Sequence, residues 1–419
     1  MLAVFTDHLE ETSVMITLRQ QGTVVMALVF GEFQLADYHE LEQAIDRQRA
    51  MPGAGPVELL VDLRLMAGYT IDVLWEDIRY TRHHANDFGR IAVVAGSDMV
   101  VWASWLARAF VHADFRAFDD YPMALNWLQV TPIHHTLVTA QELNTYLSDW
   151  VVFDCRHNLA DRDAGRRAYE TAHIPGAHFL HLDFDLAAEP TGTNGRHPLP
   201  DPEALAQRLA VLGVDAGRQV VVYDDAGGAF AARLWWMLRW LGHDAVAVLD
   251  GGLPQWTKAG LPTVSGPDPQ AQGVAARRDA SIVTGLPILL QHDSLVSVSA
   301  VLENLQTRQY LLVDARAPDR FRGENETLDP VGGHIPGAVN RFFRDNLGPD
   351  GCFKPAQVLR AEWDALLAGR PPADVISQCG SGVTACHNLL AMEIAGLPGA
   401  RLYPGSWSEW CSNRARPVA

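Results

Sequence analysis

The chain repeats part of its own sequence, and this duplication constrains the fold more than any other feature. A short apolar run that ends in Asp154 is followed by the segment HIPGA at 173–177. The same arrangement returns with Asp314 and a second HIPGA segment at 334–338. Each copy also closes with a glycine-to-tryptophan turn, at 251–256 and at 405–410. Because such a repeat encodes one structural unit used twice, the sequence predicts two homologous α/β domains.

The first 130 residues lie outside the repeat. Apolar runs at 23–30, 57–64 and 90–96 predict strands, and the spacing of Tyr38, Leu41 and Ile45 predicts an amphipathic helix after the first of them. We therefore expect an α/β domain at 1–130 and the first copy of the repeat at 131–265. A linker rich in proline, alanine, glutamine and glycine follows at 266–291, and the second copy occupies 292–419.

Charge and cysteine content exclude several classes of protein. The 419 residues carry 33 Lys and Arg against 50 Asp and Glu, a net charge of -17, which disfavours nonspecific binding to nucleic acid or to an anionic membrane. Five cysteines without a C-x-x-C pair cannot complete a disulfide framework. The sequence has no signal-peptide pattern and no apolar run of bilayer-spanning length. We expect a cytoplasmic protein.

The two copies differ at one position that bears on chemistry. Where the first copy has Asp224 after an apolar run, the second has Cys379. The residues that follow this cysteine are Gly380, Ser381, Gly382, Val383 and Thr384. Glycines allow the backbone to curl, so that backbone N–H groups and the start of the next helix surround the sulfur and favour a thiolate. The hydroxyl groups of the loop add further donors.

An anion-binding cysteine loop suits either phosphoryl or sulfur chemistry. A cysteine-dependent phosphatase needs an arginine at the end of this loop, and the position six residues after Cys379 is Ala385. The sequence therefore favours a thiolate that accepts a sulfur atom, holds it as a persulfide and passes it to a second thiol. This chemistry implies no metal and no organic cofactor.

Residues 132–419 resemble the rhodanese family through both HIPGA segments, residues 234–236 and the tail at 405–410. The loop at 379–387 is similar to that of 3-mercaptopyruvate sulfurtransferases. The resemblance implies a catalytically silent first copy, a catalytic second copy and a site in the cleft between them. It also implies transfer of sulfur from a small anionic donor, 3-mercaptopyruvate or thiosulfate, through a Cys379 persulfide. The acceptor would be cyanide, a thioredoxin-like protein or a low-molecular-weight thiol.

The resemblance assigns roles to further residues. It implies that Arg320 binds the anionic end of the donor, since a guanidinium suits a carboxylate or a sulfonate. It also implies that Asp183 and His197 form a serine-protease-like triad with Ser381. The donor stays open, because mercaptopyruvate enzymes usually have a second arginine where residues 324–331 have none, and thiosulfate-specific rhodaneses carry a basic residue in place of Ser381. The alternative function is a noncatalytic persulfide carrier or sensor that signals through the N-terminal domain.

Residues 10–129 resemble the SpoIIAA-like branch of the STAS fold through 60–64, 74–77 and 86–94. Anti-sigma antagonists of that fold carry a phosphorylatable serine in a short loop, and the loop expected here at 65–68 has none. A phosphorylation switch is therefore disfavoured. Trp102, Trp105 and Phe110 are expected to belong to the core; the alternative is a surface that binds a lipid or a protein partner.

Overall fold

The computed structural model describes residues 15–21, 24–51, 56–70, 88–95, 113–128, 133–215, 218–266, 286 and 288–419. The chain divides into two compact units, Met1–Pro132 and Ile133–Ala419. The second unit contains both copies of the repeat. None of the helices described is long and apolar enough to cross a membrane.

The first unit is a mixed sheet with helices. Its described elements are β1 Ile16–Gln21, β2 Val24–Phe33, α1 Leu35–Arg49, β3 Val57–Tyr69, β4 Phe88–Val94, β5 Asp114–Phe118 and α2 Tyr121–Trp127. The strands are ordered β1-β2-β3-β4-β5, with β1 antiparallel to β2 and the other neighbours parallel. Helix α1 buries Tyr38, Leu41 and Ile45, as their spacing predicts.

One expectation for this unit is wrong. Residues 65–68 do not form a loop, because β3 continues through them and pairs with the extended end of β2, where Leu65 lies opposite Phe30 and Met66 opposite Gly31. A register shift between Leu28 and Phe30 lets the two strands stay paired, so hydrogen bonding to the neighbouring strand extends β3 beyond its predicted end. Trp102, Trp105 and Phe110 lie outside the described residues, as do residues 267–285 and 287 of the linker predicted at 266–291.

The first copy of the repeat is built on a parallel sheet. Its elements are β6 Leu137–Val138, α3 Ala140–Thr145, β7 Val151–Asp154, α4 Ala164–Thr171, β8 His178–Phe179, α5 Pro202–Val211, β9 Val220–Tyr223, α6 Ala231–Trp240, β10 Val246–Leu249 and α7 Gly252–Lys258. The strand order is β6-β10-β9-β7-β8. Strands β7, β9 and β10 are buried along their whole length. This is typical of parallel strands that are covered on both faces.

The second copy repeats this plan with β13 in the place of β9. Its elements are α8 Val298–Thr307, β11 Leu311–Asp314, α9 Pro318–Phe321, β12 Val339–Asn340, α10 Ala356–Leu367, β13 Val375–Gln378, α11 Thr384–Ile394, β14 Arg401–Leu402 and α12 Ser406–Trp410. Short 3-10 helices lie at His292–Ser294, Phe343–Asn346 and Pro372–Asp374. The parallel strands are ordered β12-β11-β13-β14.

The two copies share one hydrophobic core. Helices α6 and α11, which follow the equivalent loops of the two copies, pack against each other. Helix α6 is buried on almost every side, as expected for a helix in which eight of ten residues are apolar. Across this packing, Arg233 of α6 donates to the Gly382 carbonyl in the loop after β13, and His387 of α11 lies 3.0 Å from the Gly227 carbonyl in the loop after β9.

Candidate active site

Cys379 is the first residue after β13, and its loop leads directly into α11. The side chain is only 2% exposed, and its N–H donates a hydrogen bond to the Ser406 hydroxyl at 3.1 Å. Gly382 has a φ of +76°, and a Cβ atom there would lie 2.3 Å from the carbonyl oxygen of Pro404. A side chain is therefore excluded at Gly382, and the loop keeps the tight curl that its sequence predicts.

The other cysteines lie in places that disfavour a thiolate. All five thiols are free. Burial raises the pKa of Cys386 to about 12 and the pKa of Cys352 to about 12 as well. Burial also raises the pKa of Cys155 well above its ordinary value, with nearby carboxylates adding to the rise. These three side chains therefore stay protonated and weakly nucleophilic near neutral pH.

The equivalent loop of the first copy shows what such a loop binds. Asp224, the counterpart of Cys379, is fully buried. Its carboxylate accepts four backbone hydrogen bonds of 2.8–2.9 Å, from the N–H groups of Ala226, Gly228, Phe230 and Ala231. In the second copy, the N–H groups two, four and six residues after Cys379 make no hydrogen bond within the described residues. The loop thus has backbone donors for an anion attached to the cysteine.

A hydrogen-bonded relay joins the two copies. The Ser381 hydroxyl lies 2.7 Å from Nδ1 of His197, and Nε2 of His197 lies 3.1 Å from Oδ1 of Asp183. Arg162 donates from Nε to the second carboxylate oxygen of Asp183 at 2.8 Å. The structure therefore brings together the three residues that the family resemblance selects. Their catalytic role stays a prediction.

The electrostatics of this relay define its protonation state. The hydrogen bond from His197 holds the pKa of Asp183 well below its usual range, and the bond from Arg162 lowers it further. Burial lowers the pKa of His197, and the positive charges of Arg233 and Arg196 act in the same direction. A neutral imidazole between a carboxylate and a hydroxyl donates to the carboxylate, so Nδ1 accepts the Ser381 O–H. His197 is thus poised to accept a proton.

Arg320 lies at the Cys379 loop, as the resemblance implies, but carboxylates contact it. A Cβ atom on Gly380 would lie 3.6 Å from Nη2 of Arg320. Glu326 accepts from this guanidinium at 2.8 and 3.1 Å, and Asp329 lies 3.4 Å from Nη2. The segment that lacks the second arginine of the family thus supplies two negative charges instead.

The second cation of the site is Arg196, which the sequence analysis did not select. Its Nη2 would lie 3.0 Å from a Cβ atom on Gly380, closer than any atom of Arg320. Its backbone N–H donates to the Ser408 hydroxyl at 2.9 Å, and its Nη1 donates to Asp329 at 2.5 Å. The sequence did offer a signal for Arg196, its position directly before His197, because neighbouring residues of one loop can contact the same site.

Arg233 is a second residue that the sequence analysis missed. It is fully buried in α6, where Nη1 donates to the Gly382 carbonyl and Nη2 to the His197 carbonyl, both at 2.9 Å. Burial lowers its pKa. The signal was a charged residue in the first turn of a helix whose next five residues are apolar. One guanidinium thus holds both the cysteine loop and the relay.

His157, His181 and Asp183 form a cluster whose ligand atoms lie within 4.8 Å of one another. However, Nδ1 of His181 accepts the Asp183 N–H, and its Nε2 lies 3.0 Å from the Arg162 carbonyl. Both oxygens of Asp183 are also hydrogen-bonded. The two bonds of His181 leave its ring without a free lone pair, so at most two of the three side chains could bind a metal ion in this arrangement.

Comparisons with known proteins agree with this arrangement. The SpoIIAA-like family model matches residues 24–129, and the rhodanese-like domain model matches 139–259 and 297–413. A probable 3-mercaptopyruvate sulfurtransferase of Pseudomonas aeruginosa is 49% identical over 288 residues, which are 68% of this chain and 97% of that protein. A putative thiosulfate sulfurtransferase of Mycobacterium tuberculosis is 37% identical over 289 residues, 67% of this chain and 96% of that protein.

A solved structure shows the same fold. The 3-mercaptopyruvate sulfurtransferase from Leishmania major superposes with a TM-score of 0.59 and 29% identity. The match covers 68% of this chain and 76% of that one.

Proposed function

Because the chain belongs to the rhodanese family, with two rhodanese-like domains after a SpoIIAA-like domain, it is a sulfurtransferase, and we propose that Cys379 carries the sulfur as a persulfide. The domain at 131–265, with Asp224 in place of the nucleophile, is the silent one, and the domain at 292–419 is catalytic. The donor is 3-mercaptopyruvate or thiosulfate. The acceptor is a thioredoxin-like protein, a low-molecular-weight thiol or cyanide.

The binding of the Asp224 carboxylate is the observation that carries the persulfide proposal. A carboxylate and a persulfide both place negative charge two bonds beyond Cβ. Four backbone N–H groups stabilise this charge in the silent copy. The equivalent loop begins with a cysteine in the catalytic copy, and a persulfide on it would meet donors in corresponding positions.

In the first half-reaction, the Cys379 thiolate attacks the sulfur of the donor. With 3-mercaptopyruvate an S–S bond forms and the C–S bond breaks, so the bonding electrons leave with carbon as the enolate of pyruvate. The proton of the transferred thiol moves to this enolate, which leaves a persulfide anion and pyruvate. With thiosulfate the S–S bond of the donor breaks, sulfite departs, and no proton is moved.

The relay serves the proton transfer that mercaptopyruvate requires. A neutral His197 accepts a proton through Ser381, and the ionised Asp183 stabilises the imidazolium that forms. Arg196 and Arg320 bind the anionic end of the donor. Arg233 holds the loop at Gly382 and the relay at His197 in one arrangement.

In the second half-reaction, an acceptor thiolate attacks the outer sulfur of the persulfide. A new S–S bond forms on the acceptor, and the electrons of the broken bond return to Cys379 as the thiolate. Cyanide reacts in the same way and leaves as thiocyanate. The cycle is therefore redox-balanced without a cofactor.

Intact-mass measurement after incubation with each donor tests the proposal. We expect the wild type to gain the mass of one sulfur atom and to lose it when a thiol or cyanide is added. Cys379→Ser removes the gain, while Cys352→Ser is the matched control and retains it. A gain that persists in Cys379→Ser would contradict the assignment. A stable persulfide without turnover would favour the noncatalytic carrier instead.

A further inference from the structure

Asp329 lies between the two arginines of the donor site. Its Oδ1 accepts from Nη1 of Arg196 at 2.5 Å, and its Oδ2 lies 3.4 Å from Nη2 of Arg320. The carboxylate is almost fully buried, with 4% of its side chain exposed. Arg196 comes from the silent copy, whereas Asp329 and Arg320 belong to the catalytic copy. One carboxylate thus connects both cations across the cleft.

The same guanidinium groups also border the cysteine loop. Nη2 of Arg196 and both terminal nitrogens of Arg320 are the atoms nearest to a Cβ built on Gly380, at 3.0, 3.6 and 3.7 Å. Nε of Arg196 is buried and has no hydrogen-bond partner among the described residues. The two arginines therefore hold Asp329 with some of their N–H groups and retain others for a donor at the loop.

The charges in this cluster cancel. Arg196 and Arg320 contribute two positive charges, and Glu326 and Asp329 contribute two negative charges. Glu326 binds Arg320 at 2.8 Å, and its side chain is 3% exposed. Since the carboxylates are shielded from water, solvent screens their repulsion of an incoming anion only weakly. A donor therefore meets two fixed guanidinium groups whose positive charge these two carboxylates offset.

We propose that Asp329 determines donor selectivity by cancelling cleft charge, so that a singly charged carboxylate donor such as mercaptopyruvate is preferred to the thiosulfate dianion. This inference rests on the proposed function, because it concerns the donor that loads Cys379. Asp329 repels each negative charge of the donor. The binding free energy that this repulsion costs is therefore about twice as large for a dianion as for a monoanion. Removing the carboxylate is expected to favour the dianion.

The size of the effect follows from Coulomb's law. At an effective dielectric constant of about 20 and a separation of roughly 10 Å, one removed charge changes the affinity by about tenfold per charge on the donor. For Asp329→Asn we expect kcat/KM to rise about tenfold with mercaptopyruvate and about a hundredfold with thiosulfate. The gain should appear in KM more than in kcat, because the charge acts on donor binding.

Steady-state rates with each donor, for the full-length chain at two salt concentrations, test this proposal. The matched control is Glu324→Gln, which removes a carboxylate from the same segment where it is exposed and pairs only with Arg322 among the described residues. The control should leave the ratio of the two kcat/KM values unchanged. In Asp329→Asn the ratio should shift towards thiosulfate by about tenfold, and because the carboxylate is buried, higher salt should leave most of the shift in place.

Two results would overturn the proposal. An unchanged donor ratio would mean that Asp329 does not set selectivity, and an equal rise of KM for both donors would mean that it only positions Arg196. Failure of the proposed function gives a different result, since the wild type would then form no persulfide with either donor. Intact-mass measurement on the same samples separates the two cases.

Discussion

Substituting His387 with glutamine is expected to reduce the acid sensitivity of the rhodanese-like unit. His387 lies in α11, is fully buried, and stacks on Phe353 with ring centroids 4.5 Å apart. Its Nε2 lies 3.0 Å from the Gly227 carbonyl of the silent copy. Burial lowers its pKa from 6.5 to about 4, and the bond to Gly227 only partly opposes this.

The direction and size of the effect follow from proton linkage. Because the folded pKa lies below the unfolded one, the unfolded chain binds more protons between pH 6.5 and 4, and stability falls as the pH falls. A pKa of 6.5 that becomes about 4 on folding costs about 2 kcal/mol between pH 7 and pH 5, and about 3 kcal/mol by pH 4. Glutamine cannot titrate, so this contribution disappears in the variant.

Urea unfolding at pH 7 and pH 5, followed by tryptophan fluorescence, measures this difference. The quantity to compare is the loss of unfolding free energy between the two pH values, because the substitution also changes packing at both. His157, His197 and His243 also have lowered pKa values, but they contribute equally to the wild type and the variant. His292→Gln, at an exposed position, is the control. If the wild type and His387→Gln lose the same unfolding free energy between pH 7 and pH 5, His387 is not a source of the acid sensitivity.

Three further predictions concern the active site. Asp183→Asn should lower kcat with mercaptopyruvate by about a hundredfold or more, because this donor requires a proton transfer. Persulfide loading from thiosulfate requires no proton transfer and should stay intact in an intact-mass assay. Arg196→Met should raise KM for both donors by about tenfold to a hundredfold in steady-state assays, since a charge-assisted hydrogen bond is lost. Gly382→Ala should abolish loading of Cys379 while near-ultraviolet circular dichroism stays close to that of the wild type, because the new Cβ meets the Pro404 carbonyl. Loading at the wild-type rate would contradict the last prediction.

Much of the fold could be predicted from the sequence because its signals are local. The two HIPGA segments indicated the repeat, and continuous apolar runs indicated buried parallel strands. The cysteine loop could be predicted for the same reason, since its glycines and hydroxyl residues are contiguous. The end of β3 could not be predicted in this way, because residues 65–68 stay extended only through pairing with β2.

The active site depends on contacts between residues that are far apart in the sequence. The hydrogen bond between His197 and Ser381 joins positions 184 residues apart, and their pairing was expected only from the family resemblance. The sequence signals of Arg196 and Arg233 were weak, because a residue next to a histidine or a charge in an apolar helix gains a role only when packing brings it to the cysteine loop.

The sequence by itself determined that a cysteine loop capable of holding a persulfide follows a buried strand in the second of two homologous domains. The tertiary structure decided the charge around that loop. Packing of α6 against α11 places Arg233 of the first copy at the Cys379 loop, and contacts between the two copies set Asp329 between Arg196 and Arg320. Charge acts through space, so its balance depends on distances between segments far apart in the chain.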